Sequence, residues 1–196
     1  TLLARAHIHL TNAPGAGAAE QSALALAALA EGFQSNADNA SFAYFAEPGS
    51  ENPWYQWVID GKWDTRNQLS AQYVNRLKER RDPRLFIHAR QVGAVNGNGA
   101  VAGFRPVAPT DAMFDLADPT YVGHVNGAEG IGAAAISSLG AFYSAPDAAL
   151  SWLTYAEAAF IEAEAVLRTD GPDAADPIYR DAIRASMDQL GIAAAE

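Results

Sequence analysis

The segment ENPWYQWVIDGKWDTRN, beginning at Glu51, contains three of the chain's four tryptophans, Trp54, Trp57 and Trp63, with Tyr55 between the first two. Asn52, Asp60, Asp64 and Arg66 surround them, and Pro53 and Gly61 mark the stretch as loop-like. Indole and phenol rings offer a broad apolar face with a polar edge. The C–H face of a sugar ring packs on such a surface while nearby polar groups take its hydroxyls. The same rings can instead staple a loop onto a core, and both uses are open from the residues alone. The polar surroundings favour Trp57 or Trp63 as the ligand-facing ring, and Trp54, beside Pro53, as a staple. The candidate binding set is Trp54, Tyr55, Trp57, Trp63, Asp64 and Arg66.

Other chemistries find less support. The chain has no cysteine, which excludes thiolate nucleophiles, thiolate metal sites and disulfides. His7 and His9 are two apart, so on a helix they point to different faces and make poor joint metal ligands. His88 and His124 stand without sequence partners. Glu157, Glu162 and Glu164 lack the Glu-x-x-His pairing of a di-iron bundle. NGAEGIG from Asn126 is not a dinucleotide fingerprint, and no GxSxG elbow is present. Nothing singles out a carboxylate pair for glycoside hydrolysis. The residues therefore indicate no catalytic set, no metal site and no cofactor.

These side chains must be positioned by a chain of 196 residues that is 49% hydrophobic and 18% charged, a composition that can bury a core. A net charge of −10 argues against a nucleic-acid partner. The basic cluster Arg76, Lys78, Arg80, Arg81 and Arg84 reads as the solvated face and end of a helix. Periodicity predicts helices near 1–12, 18–31, 70–81, 152–168 and 174–190. Leu3, Ala6 and Leu10 form the stripe of the first, and Tyr73, Val74 and Leu77 that of the third. Leu153, Ala156, Phe160, Ala163 and Leu167 face inward on the fourth, and Tyr179, Ala182, Ile183 and Met187 on the last. LFIHA from Leu85 reads as a short strand, and Asp82 before Pro83 ends the helix preceding it. The expected architecture is mainly α in a single domain: a helical hairpin over 1–32, a helix over 70–81, a second hairpin over 150–190, and loop-rich segments 33–69 and 90–148.

Ala163, Ala175, Tyr179 and Ala182 have the spacing of the small and aromatic positions of a tetratricopeptide repeat, where paired helices cross closely. SNADNASFAY at Ser35, NPWY at Asn52, RLKERRDPRL, YVG at Tyr121, and LTYAEAAFIEAEAVLR followed by YRDAIRASMDQLGI occur in that order. In this the chain resembles the SusD/RagB-like nutrient-binding lipoproteins of bacterial outer membranes. The DPRL helix end and the TYAE…EAEA…IRASM block are the most specific parts, and the likeness spans nearly the whole chain. Family members are longer, and the chain corresponds to their middle and later part, without the lipidated N-terminus. The resemblance implies a surface-exposed outer-membrane protein held by a lipid anchor that is absent from this chain. It also implies that the protein binds an oligosaccharide or related nutrient and passes it to a TonB-dependent β-barrel transporter. The competing expectations are a tetratricopeptide-type protein–protein adaptor and, less favoured, a glycan-cleaving enzyme.

Overall fold

The computed structural model describes residues 1–60, 67–96, 99–129 and 135–192. In chain order the elements are α1 (Leu2–Leu10), α2 (Ala18–Ala30), β1 (Ala40–Phe42), a π-helical turn (Tyr55–Ile59), α3 (Ala71–Glu79), α4 (Leu85–His88), β2 (Val95–Asn96), β3 (Gly99–Ala100), a 3₁₀ turn (Asp111–Phe114), α5 (Ala141–Ser144), β4 (Leu150–Leu153), α6 (Tyr155–Thr169) and α7 (Pro172–Gln189). The fold is mainly α, with β1 pairing only β4 and β2 pairing only β3 among the described residues. The chain forms two compact units, residues 1–42 with 151–196, and residues 43–150.

In the first unit, α1 and α2 pair, α6 packs on both, and α7 returns along α6. The core consists of Ala4, Ile8, Ala25, Leu29, Ala158, Ile161 and Ala165. Its composition explains where the expected stripes go astray. Alanine lets helix axes approach closely, so the deepest crossings are made by Ala4, Ala25, Ala165 and Ala182, each with no exposed surface. The large residues are pushed outward: Leu3, Leu10, Leu167, Tyr179 and Ile183 are exposed rather than core. Of the expected stripe residues, Ala156, Ala163 and Ala182 are buried. The α6–α7 hairpin expected from the sequence is present, with Gly171 at φ 92° in the turn and Pro172 at the first helical position, where a missing N–H costs nothing.

Polar side chains fix the helix starts in this unit. Thr154 caps α6 by accepting from Glu157 N at 3.1 Å. Arg5 forms a two-pronged pair with Glu157, joining α1 to the first turn of α6. The SNADN motif has a related use. Ser35 and Asp38 close a capping box, Asn39 Oδ1 accepts from Tyr155 N at 2.6 Å, and Asn36 Nδ2 donates to Ala185 O at 2.9 Å on α7.

In the second unit, Val74, Leu77, Leu85, Ala89, Met113 and Tyr121 form the larger core, and Val58, Ile59 and Val95 a smaller one. LFIHA is a one-turn helix instead of the expected strand, because Asp82 and Pro83 restart helical geometry directly after α3. Lys78 belongs to the buried side of α3 and not to a solvated face: it is 2% exposed, with Nζ donating to Asp118 O at 2.7 Å.

Replacing Ala182 with Leu should overpack the α6–α7 crossing and cost about 1–3 kcal/mol. Ile183→Ala, on the exposed flank, should stay near the surface-substitution range of about 0.5 kcal/mol. Thermal or urea unfolding of both variants checks the contrast.

Candidate functional site

The tryptophan-bearing turn is held by one buried amide. Asn52 is 2% exposed; its Nδ2 donates to Ala148 O at 2.7 Å, its Oδ1 accepts from Trp54 N at 2.7 Å, and its backbone N–H donates to Pro146 O at 2.7 Å. The NPWY motif thus pins the start of the turn to residues 146–148. Asp60 N then donates to Tyr55 O at 3.0 Å, the five-residue step of a π-helix.

A second wall comes from α3, α4 and the reversal between them. Arg81 takes φ 51°, and Asp82 N reaches back to Leu77 O at 2.9 Å, closing the end of α3. Asp82 then receives Arg84 Nε at 3.0 Å and Nη2 at 2.6 Å. That fork restarts the chain as α4, one turn before His88. The third wall is the 139–143 segment. Gly140 N donates to His88 O and Arg90 N to Ser138 O, both at 2.9 Å. A Cβ on Gly140 would lie 1.8 Å from Ile87 O, so only glycine permits this approach.

Between these walls lies a hollow of about 400 Å³ lined by Trp54, Leu69, Tyr73, His88, Leu139 and Tyr143. Its size suits a small ligand unit. The His88 ring lies nearly parallel to that of Tyr73, end to end with it, with ring centres 6.0 Å apart and planes 7° apart, and meets Tyr143 edge-on at 5.4 Å. The Tyr73 hydroxyl is hydrogen-bonded to His88 Nδ1, and the Tyr143 hydroxyl to Nε2 at 3.1 Å. Burial holds the imidazole below its ordinary pKa, Arg84 acts in the same direction, and Asp82 opposes them. Burial raises both phenols, so their hydroxyls keep their protons at neutral pH. Burial pulls the Asp82 carboxyl upward, but the Arg84 side chain and backbone bonds outweigh it and hold the group ionised below the usual carboxylate range. The pocket therefore combines an indole, two hydroxyls and a neutral imidazole with no uncompensated charge among its lining residues.

Two somewhat larger hollows occur elsewhere among the described residues. One of about 460 Å³ lies beneath Phe104, Pro106 and Val107, where Gln91 is engaged by both polar backbone groups of Val107. The other, of about 420 Å³ between α6 and α7, has its acids paired, Glu164 with Arg168 and Asp176 with Arg180. No group of metal-ligating side chains occurs among the described residues.

Of the residues singled out in the sequence, Trp54 lines the pocket and is 41% exposed, so it is not the buried staple expected there. Stapling falls to Asn52 and to Tyr55, which packs against Val58, Ile59 and Val95. Trp57, 53% exposed, sits three residues further along the same turn. Trp63, Asp64 and Arg66 lie outside the described residues. Tyr73, His88 and Tyr143 were missed. The apolar spacing places Tyr73 on the inner stripe of its helix, whereas it is 40% exposed, and nothing local links His88 to tyrosines 15 and 55 residues away. The aromatic spacing in FYSAP and the DPRLFIH helix start are the only sequence traces of their meeting.

Helical hairpins of tetratricopeptide-repeat type, separated in sequence by a long loop-rich unit with an aromatic pocket, define the class of architecture. The chain belongs to the SusD-like family whose model, described as starch-binding and associating with the outer membrane, matches residues 2–196. Similar solved structures include a SusD/RagB family protein from Bacteroides thetaiotaomicron, with 23% identity over 97% of this chain and 38% of that one at a TM-score of 0.61. A chitin-binding protein matches with 21% identity, all of this chain, 40% of that one and a TM-score of 0.67. A SusD homologue from Bacteroides fragilis matches with 25% identity, 94% of this chain, 39% of that one and a TM-score of 0.58. The chain spans about two fifths of the length of these structures. A comparison with curated proteins gave no match. No described helix is long and apolar enough to cross a membrane.

Gly140→Ala should force the 138–143 segment away from α4, with a cost of about 1–3 kcal/mol or more. Asn52→Ala should cost about 1–3 kcal/mol by leaving Ala148 O and Trp54 N without their partner. Chemical denaturation measures both. Wild-type stability in either variant would contradict the positioning described.

Proposed function

We propose that the chain is the glycan-holding part of an outer-membrane nutrient-uptake protein, and that the Trp54–Tyr73–His88–Tyr143 pocket takes one sugar unit. The observation that supports this most strongly is the placing of a half-exposed indole beside two hydroxyls in an apolar hollow. A sugar ring has both an apolar C–H face and hydroxyls, and this pocket offers a partner to each. Trp57, on the same turn, extends the apolar surface for a neighbouring unit, and Trp63, Asp64 and Arg66 follow it in sequence as further candidates. The family description, starch-binding and associating with the outer membrane, agrees with this class of ligand. The resemblance to SusD/RagB-like proteins supports the remainder: a lipid-anchored protein on the outer surface that delivers its ligand to a TonB-dependent β-barrel transporter without cleaving it.

Trp54→Ala should lower affinity for a bound oligosaccharide tenfold or more, which is about 1.4 kcal/mol. Its cost in stability should stay below the about 3–5 kcal/mol of a fully buried aromatic. Calorimetric titration with chitohexaose and maltohexaose, paired with thermal melts, tests this. Long incubation with either sugar should produce no new reducing ends. Equal affinity in wild type and Trp54→Ala would remove the pocket from the binding site, and released reducing ends would show an enzyme.

A further inference from the structure

His88 bonds one tyrosine hydroxyl through each ring nitrogen: Tyr73 from α3 at Nδ1 and Tyr143 from α5 at Nε2. A neutral imidazole has one N–H and one bare nitrogen. The two hydroxyls therefore cannot play the same role. One donates its proton to the bare nitrogen. The other accepts from the ring N–H and keeps its own proton free. Whichever tautomer is present, the pocket holds a single free hydroxyl proton, together with lone pairs on both phenol oxygens.

The charged groups around the ring leave this balance intact. Asp82 and Arg84, on the turn leading into α4, bond each other in a fork and cancel. Tyr73 and Tyr143 are protonated at neutral pH, as any phenol is, and burial raises them further. A ligand group bound at the two hydroxyls meets lone pairs on both oxygens and one free hydroxyl proton, with no net positive charge. A sugar hydroxyl both donates and accepts, so two neighbouring hydroxyls can satisfy both tyrosines. A carboxylate or sulfate only accepts, so it would face unshared lone pairs with one proton between them.

Resting on the glycan-binding function proposed above, we infer that the Tyr73–His88–Tyr143 chain makes this pocket select uncharged sugar units with neighbouring hydroxyls, and that protonating His88 opens it to acidic sugars. Protonation gives the ring two N–H donors. Both tyrosines then accept from it, both free their own protons, and the pocket gains a positive charge. Because the imidazole is held below its ordinary value, the neutral-sugar form persists at neutral pH and the change falls on the acid side.

The test is calorimetric titration of the 196-residue chain with maltohexaose, chitohexaose and hexagalacturonate, from about pH 7.5 downward through the His88 titration, which imidazole NMR follows. The neutral hexasaccharide that binds should be favoured at least about tenfold over hexagalacturonate at the upper pH, and that preference should narrow as His88 protonates. In His88→Gln, which cannot titrate, the narrowing should vanish, leaving only the general effect of a less negative protein. Tyr73→Phe and Tyr143→Phe, which keep the rings, should each weaken neutral binding several-fold. A neutral-to-acidic preference that ignores pH in the wild type, or narrows equally in His88→Gln, overturns the inference while leaving glycan binding intact. Wild-type neutral affinity in both Phe variants overturns it independently should His88→Gln not fold. Binding of no hexasaccharide overturns the proposed function and this inference together.

Discussion

At Gly140 the chain passes so close to α4 that a Cβ there would lie 1.8 Å from Ile87 O, and the features of the pocket follow from that approach. The Gly140 N–H reaches His88 O, and the Arg90 N–H reaches Ser138 O. Together these bonds set α4 beside the 138–144 segment. Leu139 and Tyr143 are then delivered to one side of His88, while Tyr73 reaches the other side from α3. Any larger residue at position 140 would separate the two backbones before a side chain could rearrange. A similar constraint holds α3: a Cβ on Gly123 would lie 2.4 Å from Ala71 Cα, and Ala71 N donates to His124 O at 2.8 Å. The pocket is thus built by backbone proximity, with side chains filling positions that the main chain has fixed.

The unit formed by residues 1–42 and 151–196 meets a different need with a related device. Its helices cross on alanine, and alanine contributes little burial per residue, so many of them are used in series along α1, α2, α6 and α7. Such crossings tolerate little slack, because an added methylene has nowhere to go. Polar residues supply the register that small apolar ones do not. Thr154 and Asn39 fix the start of α6, and Asn36 ties the same loop to α7. Close helix crossings and capped starts together give the hairpin geometry characteristic of helical repeats.

The helices were legible because their signals are local: capping residues, alanine-rich runs and the Gly171–Pro172 turn specify segments without reference to the rest of the chain. Their buried faces were less legible. In a chain this rich in alanine, the large side chains at 167, 179 and 183 mark the outside of a close crossing, the reverse of the usual rule. LFIHA reads as a strand from sequence because an apolar run of three residues has no period to distinguish the two states. Composition singles out the tryptophan turn, and one of its residues, Trp54, lines the hollow. Its partners were not legible, since Tyr73, His88 and Tyr143 meet only through the Arg81–Pro83 reversal and the Gly140 approach. The reversal is local and marked by the DPRL sequence, but the Gly140 approach is a long-range consequence of folding with no signature at the residues it serves.

The central claim is that an indole and two tyrosine hydroxyls joined by His88 hold a sugar ring. A crystal structure of the chain grown with chitohexaose or maltohexaose tests it most directly. The expected result is one pyranose ring stacked on Trp54, with two of its hydroxyls within about 3.0 Å of the Tyr73 and Tyr143 oxygens. An empty pocket, with the oligosaccharide ordered on Trp57, on Trp152 or elsewhere on the surface, would contradict the claim.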